Sequence, residues 1–204
     1  IWGRPDIIEP MVRSLTVAVV STLIATTLGT LIGLALTRYD FRGRGPLNLF
    51  IFLPMATPEI IMGASLLALF VTTGVSRDIT TIVIAHVMFN ISYVTVTVRA
   101  RRAGFNRTLE EAAMDLGADE WTTFRKVTLP LIAPAILAGA LLTFALSVDD
   151  FVITNFNSGT TETFPLYVWS QAQRGVPPEV NVIGTMIFAV DIGYELGRGG
   201  LRGR

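Results

Sequence analysis

The 204-residue chain contains no cysteine, one histidine (His86) and one lysine (Lys126). Lack of cysteine excludes disulfides, thiol catalysis and thiolate metal sites, and a lone imidazole excludes a multi-histidine metal site within one chain. Charge is also scarce. Only 16% of residues are charged, and 16 basic residues balance 16 acidic ones, so nothing in the balance suggests nucleic acid as a partner. A phosphate-cradling loop needs Gly-Lys-Ser/Thr, but Lys126 stands between Arg125 and Val127, so ATP must be hydrolysed elsewhere if ATP drives this protein. No set of serine, histidine and carboxylate falls at a recognisable catalytic spacing, which argues against a membrane-embedded enzyme. The chain opens at Ile1 without an initiator methionine or a signal-peptide pattern; an upstream segment is expected.

What the chain does have is apolar length. Half of it (51%) is hydrophobic and mean hydropathy is +0.56, too apolar for a soluble domain of this size. A membrane-crossing helix needs about 20 mostly apolar residues. Residues 11–36, 47–75, 79–98 and 129–148 meet that requirement, and 180–196 is a fifth, weaker span interrupted by Asp191 and Glu195. The expected fold is an all-α polytopic transmembrane helical bundle forming one domain over 1–204. Twelve of the sixteen basic residues fall in the 38–44 loop, the 99–126 loop and the tail. Positive charge is retained on the cytoplasmic side, so these segments are expected inside, with the N-terminal end of the chain outside and the C-terminal end cytoplasmic. Pro54, Pro58 and Gly63 predict a bend in the second span, either a packing kink or a bend lining a pathway.

The most charged stretch is "EEAAMDLGADEWTTFRKVTLP", residues 110–130. Thr108 and Glu111 have capping-box spacing, which predicts a helix start. Leu109, Ala112, Ala113 and Leu116 form one apolar stripe at helical spacing, with Glu110, Glu111 and Asp115 on a wet face. Gly117 supplies a left-handed turn, and Asp119 caps a second short helix carrying Trp121 and Phe124. The small alanines suit close docking to another protein. An interfacial hairpin lying on lipid would instead carry basic residues on its wet face.

Glu111-Ala112-Ala113, Gly117 and Val127-Thr128-Leu129-Pro130 resemble the EAA loop of ABC importer permeases, with Val127 where that pattern usually shows isoleucine. "SVDDFVITNFNSG" (147–159) and "FPLYVWSQAQRGVPPEVNVIGT" (164–185) look most like spermidine/putrescine-type permeases. The resemblance implies a type I permease of the bacterial inner membrane, with six spans in the intact protein and five in this chain. Its coupling loop spans about 107–130 and its outer segment about 149–180. It implies two ATP-binding subunits, a second permease chain (identical or different), an extracytoplasmic solute-binding protein and a lipid bilayer as partners. No cofactor is expected on this chain, since ATP and Mg act on the ATP-binding subunits. Glu111, Ala112, Ala113, Leu116, Gly117, Leu129 and Pro130 are the implied docking residues.

The candidate substrate pathway is Glu59, Asp149, Asp150, Phe151, Tyr167 and Trp169. Intramembrane carboxylates are costly and face protein or water, and with aromatic faces they suit a polycation. Simple roles stay open beside that one: a helix cap for Asp149 and Asp150, a pairing with a neighbouring chain for Glu59, and interfacial anchoring for Trp169. His86, next to Asn90 in the third span, reads as an internally hydrogen-bonded histidine. Related permeases carry sugars, phosphonates, ferric ions and opines, so the cargo is not fixed by the fold. An ion-driven secondary transporter would share the kinks and carboxylates but would have no use for such a loop.

Overall fold

The computed structural model describes residues 5–104 and 108–174, with isolated positions 182, 185, 186 and 189 beyond them. All regular structure in these residues is helical. The long helix α1 (Pro5–Arg38) has Pro5 and Asp6 in its first turn and Arg38 in its last, matching the donor-poor start and the dipole at both ends. Helices α2 (Arg44–Ala56) and α3 (Glu59–Thr72) follow. Helix α4 (Ile79–Ala103) starts at a capping box: the Thr80 amide donates to Asp78 Oδ1 at 2.7 Å, and the Asp78 amide donates to Thr81 Oγ1 at 2.9 Å. Arg101 and Arg102 close its last turn.

Three helical stretches are long and apolar enough to cross a membrane: Asp6–Arg38, Ile79–Arg102 and Glu120–Asp149. The α2–α3 pair passes the same criterion only when taken together, and its axes meet at 112°. The expected single bent span over 47–75 is therefore two helices broken at Thr57 and Pro58. Pro58 has no amide hydrogen, and its ring disfavours helical backbone at Thr57, which adopts an extended ψ of 132°. The described residues thus hold three spans, or four if the bent pair counts as one. The expected fifth span, 180–196, lies outside them apart from the isolated positions 182, 185, 186 and 189.

Helices α1, α4 and α7 (Leu129–Asp149) pack against one another pairwise. A Cβ at Gly29 would stand 2.8 Å from Val94 Cβ and 3.0 Å from the Ile91 carbonyl oxygen, and one at Gly33 would stand 3.3 Å from the Thr95 carbonyl. Between helices that lipid does not drive together, close approach over a Gly-xxx-Gly ridge supplies the dispersion contact. Thr95 Oγ1 adds a hydrogen bond to the Gly29 carbonyl at 3.2 Å. Polar side chains also bond one another across the same core: Asn90 Nδ2 donates to Ser147 Oγ at 2.8 Å, and Ser147 Oγ lies 3.3 Å from Ser21 Oγ. By contrast, Leu23 and Leu31 on α1 and Leu137 and Leu141 on α7 are exposed, as in a helix bundle solvated by hydrocarbon.

Contacts sort the helix ends into two groups. At one end, Arg38 of α1 lies 4.0 Å from Glu120, Arg99 of α4 hydrogen-bonds Asn48 of α2, and Arg102 pairs with Glu110. At the other end, the Phe164 amide donates to Ser14 Oγ at 2.8 Å, Arg13 reaches the Glu162 carbonyl at 3.5 Å and Thr81 Oγ1 donates to the Asn157 carbonyl at 2.9 Å. The loop at 110–130 and the segment at 149–174 therefore occupy opposite ends of the bundle.

Candidate functional site

The charged stretch folds as a helix, a hinge and a second helix. Helix α5 (Thr108–Asp115) has Glu110 and Glu111 in its first turn. Gly117 has φ +87°, the left-handed region that L side chains enter only at a cost. Its amide donates to the Met114 carbonyl at 2.9 Å, and the Ala118 amide reaches back to the Ala113 carbonyl at 3.1 Å, satisfying carbonyls that the helix end would otherwise leave unpaired. Asp119 Oδ1 then accepts the Thr122 amide at 3.0 Å to cap α6 (Glu120–Thr123). Trp121 and Phe124 stack with ring centroids 5.7 Å apart.

The apolar stripe is turned outward. Leu109 is 49% and Leu116 89% exposed, and Glu111, Ala112 and Gly117 are exposed beside them, with Ala113 half-buried. A hairpin folded for its own sake would turn these residues inward. No described residue lies within 4 Å of a Cβ built on Gly117. The stripe is therefore an exposed ledge of two leucines and two alanines. Leu129 is half-buried and Pro130 exposed, at the base of the hairpin.

Two features depart from the sequence reading. The span expected over 129–148 begins earlier, in the helical run Glu120–Asp149. A π-helical segment, Phe124–Thr128, joins α6 to α7, and the Leu129 amide bonds the Phe124 carbonyl five residues back. Pro130 has no amide hydrogen and its ring crowds the carbonyl four residues earlier, so one widened turn carries the chain past it. The second helix of the hairpin is thus continuous with the span that follows, Glu120–Asp149.

The second correction concerns Glu110, expected on the wet face but buried at 8% exposure. Its Oε1 and Oε2 accept Arg102 Nη1 at 2.9 Å and Nη2 at 3.1 Å, a bidentate pair, and Thr128 Oγ1 donates to Oε1 as well. The hydrogen bond from Arg102 outweighs burial, and Thr128 adds to it, so the Glu110 carboxyl titrates below its ordinary value of 4.5. What the pair contributes to stability is complete above that ordinary value, and is lost as pH falls through the lower folded one. Helical spacing places Glu110 off the 109/112/113/116 stripe; Arg102, eight residues upstream on α4, is the signal that could have identified it.

At the opposite end, a cavity of about 440 Å³ opens where the α2–α3 break faces α4 and α7. Glu59, Asp149, Asp150 and Phe151 line it, with Phe89 and Tyr93 of α4. Four of the six expected pathway residues are thereby brought together from two distant segments. No arginine or lysine appears among the described lining residues. Glu59 and Asp149 are exposed, whereas the Asp150 side chain is 6% exposed. Asp150 Oδ2 accepts the Thr154 hydroxyl and amide, each at 2.7 Å, and lies 3.3 Å from His86 Nε2. His86 Nε2 is also 2.9 Å from Thr154 Oγ1. Asp150 therefore caps the first turn of α8 (Val152–Asn157), one of the roles the sequence left open, and it also lines the cavity. His86 is held internally, as its position suggested.

Trp169, on α9 (Phe164–Arg174), is exposed and stands against Phe151 with ring centroids 5.2 Å apart. It reaches the cavity only through Phe151. Tyr167 does not reach it. Its ring packs with Ile7 in a separate cluster, at 4% exposure, because successive residues on α9 point to different faces.

The family model described as "binding-protein-dependent transport system inner membrane component" matches residues 25–190. The chain is 40% identical over 193 residues to the spermidine/putrescine transport system permease protein PotC of Haemophilus influenzae, covering 94% of this chain and 75% of that protein. It is 42% identical over 183 residues to the putrescine transport system permease protein PotI of Escherichia coli, covering 86% and 65% respectively. Its fold matches a structure of the methionine ABC transporter MetNI in inward-facing conformations, with a TM-score of 0.73 at 18% identity, covering 96% of this chain and 93% of that one. The outward-turned hairpin, the spans around it and these likenesses agree, and the chain belongs to the family of inner-membrane permease components of binding-protein-dependent (ABC) transport systems.

Proposed function

We propose that this permease subunit carries a polyamine of the spermidine/putrescine class, through a pathway that includes the cavity at the α2–α3 break. The observation that carries this reading is the cavity's charge: three carboxylates, Glu59, Asp149 and Asp150, with aromatic residues and no described basic residue among its lining. A flexible polycation loses hydration on entering a membrane protein, and carboxylates and aromatic faces replace part of it. The same lining disfavours an anionic cargo such as a phosphonate or an opine, whose negative charge would meet three like charges. The polyamine-transport relatives support the same reading.

The cytoplasmic handle in this reading is the ledge of Glu111, Ala112, Ala113, Leu116 and Gly117, with Leu129 and Pro130 at its base. Each of two ATP-binding subunits grips one such ledge, a second permease chain supplies the other, and a solute-binding protein delivers cargo to the opposite end. That orientation puts the hairpin in the cytoplasm and the N-terminal end outside, in a bacterial inner membrane, with six spans in the intact protein. It agrees with the basic helix ends Arg38, Arg99 and Arg102 gathered beside the hairpin.

The test is ATP-dependent uptake of labelled spermidine or putrescine into vesicles containing the assembled importer and its binding protein. Accumulation competed by unlabelled polyamine but not by sugar, phosphonate, opine or ferric ion is expected. Accumulation of one of those solutes in place of polyamine would discard the assignment of cargo.

A further inference from the structure

Glu110 is the one buried residue of α5, and it bonds to two different spans at once. Arg102 belongs to the last turn of α4, and Thr128, 1% exposed, ends the π-helical turn that runs into α7. The Arg102 side chain is 5% exposed and the Glu110 side chain 11%. A carboxylate on a short surface helix is normally solvated, and burying one beside a guanidinium requires all its partners in place. Here the bidentate pair and the hydroxyl use both carboxylate oxygens. The apolar side of the same helix is left free. Thus α5 is tied to the bundle by charge on one side and open to a partner on the other.

Both tied helices lead to the cavity at the far end. Helix α4 carries His86, Phe89 and Tyr93, and α7 ends at Asp149. On the α7 side, α6, the π turn and α7 form one helical run, Glu120–Asp149. On the α4 side the helix ends at Ala103, and the ion pair ties α5 to its last turn.

We propose that the Arg102–Glu110–Thr128 cluster is the joint that transmits displacement of the docked hairpin to α4 and α7 together. Glu110 and Arg102 are positioning residues: they touch neither cargo nor nucleotide. The proposal rests on the docking of ATP-binding subunits to this hairpin and adds how their closure reaches the pathway. A rigid, fully satisfied polar cluster moves as a unit, which is what a two-state element between sites requires.

The test uses the assembled importer carrying Glu110→Gln, Arg102→Gln, or the charge exchange Arg102→Glu with Glu110→Arg. Three quantities are read: retention of the ATP-binding subunits on purification, ATP hydrolysis without binding protein, and cargo moved per ATP hydrolysed. Glu110→Gln keeps the shape and a hydrogen bond to Thr128 but removes the charge. Both single variants should retain the subunits and basal hydrolysis, yet move about tenfold less cargo per ATP, the scale of a typical coupling between sites. The exchange should recover at least part of that loss. Unchanged cargo per ATP in both singles would overturn the proposal. Loss of the subunits from all three variants would overturn it too, since the cluster would then shape the docking surface without transmitting motion. Failure of docking itself would appear differently, as no contact between the ATP-binding subunits and the hairpin of the unmodified chain.

Discussion

Replacing Asp150 by asparagine is expected to lower polyamine uptake at limiting substrate by roughly tenfold to a hundredfold, with the importer still assembled. Capping and charge are separable in this residue. Asparagine caps a helix as well as aspartate does, so α8 keeps its hydrogen bond from the Thr154 amide. What disappears is the negative charge, in a side chain 6% exposed. A hydrogen bond to a charged partner contributes about 1.5–3 kcal/mol, and each 1.36 kcal/mol is tenfold in rate. Glu59 gives the internal comparison. It lines the same cavity but is exposed, where an ion pair contributes only about 0.2–1 kcal/mol, so Glu59→Gln should cost less than about fivefold. Uptake is measured as initial rate against polyamine concentration in vesicles. Normal uptake by Asp150→Asn would leave the residue as a cap and remove it from the pathway.

Substituting Gly117 by aspartate is expected to abolish cargo-stimulated ATP hydrolysis while leaving the chain in the membrane. Within this chain the change is mild. The left-handed conformation costs an L residue about 1–2 kcal/mol, with aspartate among the more tolerant types, and no described residue lies within 4 Å of the added Cβ. If Gly117 were only a turn former, the variant would behave almost as the parent. If instead an ATP-binding subunit seats on the ledge, an added side chain and a like charge beside Glu111 stand in the interface, where excluded volume and unpaired charge are not tolerated. The size of the effect therefore discriminates between the two roles. Hydrolysis is measured with and without loaded binding protein, and membrane content by quantitative blotting. Stimulation within about twofold of the parent, well under the 1.4 kcal/mol that a tenfold change represents, would remove Gly117 from the interface.

Much of this was legible in the residues, for identifiable reasons. The spans at 11–36, 79–98 and 129–148 follow from hydrophobic length alone, and the structure holds helices there. Gly117 and Asp119 were legible because turn and cap chemistry is local, and each sits in its expected conformation. Elements set by distant partners were not legible. Glu110 looks like any solvated acid until Arg102 and Thr128 close on it from α4 and the π turn. Tyr167 and Trp169 look alike in an aromatic outer segment, and only packing against Ile7 or Phe151 separates them. The close approach of α1 to α4 is written in Gly29 and Gly33 at four-residue spacing, a pattern readable beforehand but meaningful only once Val94 is known to face it. The two halves of the cavity, Glu59 and Asp149–Phe151, lie about ninety residues apart, so their meeting belongs to topology.

The central claim is that the hairpin is where an ATP-driven motor holds this chain. The absence of cysteine makes it directly testable, because Ala112→Cys gives the chain a single thiol on the exposed ledge. A short bifunctional thiol reagent applied to the assembled importer, with single cysteines walked across the ATP-binding subunit, should join the two chains at positions that change between the nucleotide-free and ATP-bound states. A cysteine at Leu141, exposed on the membrane-spanning α7, serves as the control and should not cross-link to that subunit. Cross-linking from position 112 that is absent in every nucleotide state, while the importer remains intact and active, would contradict the account.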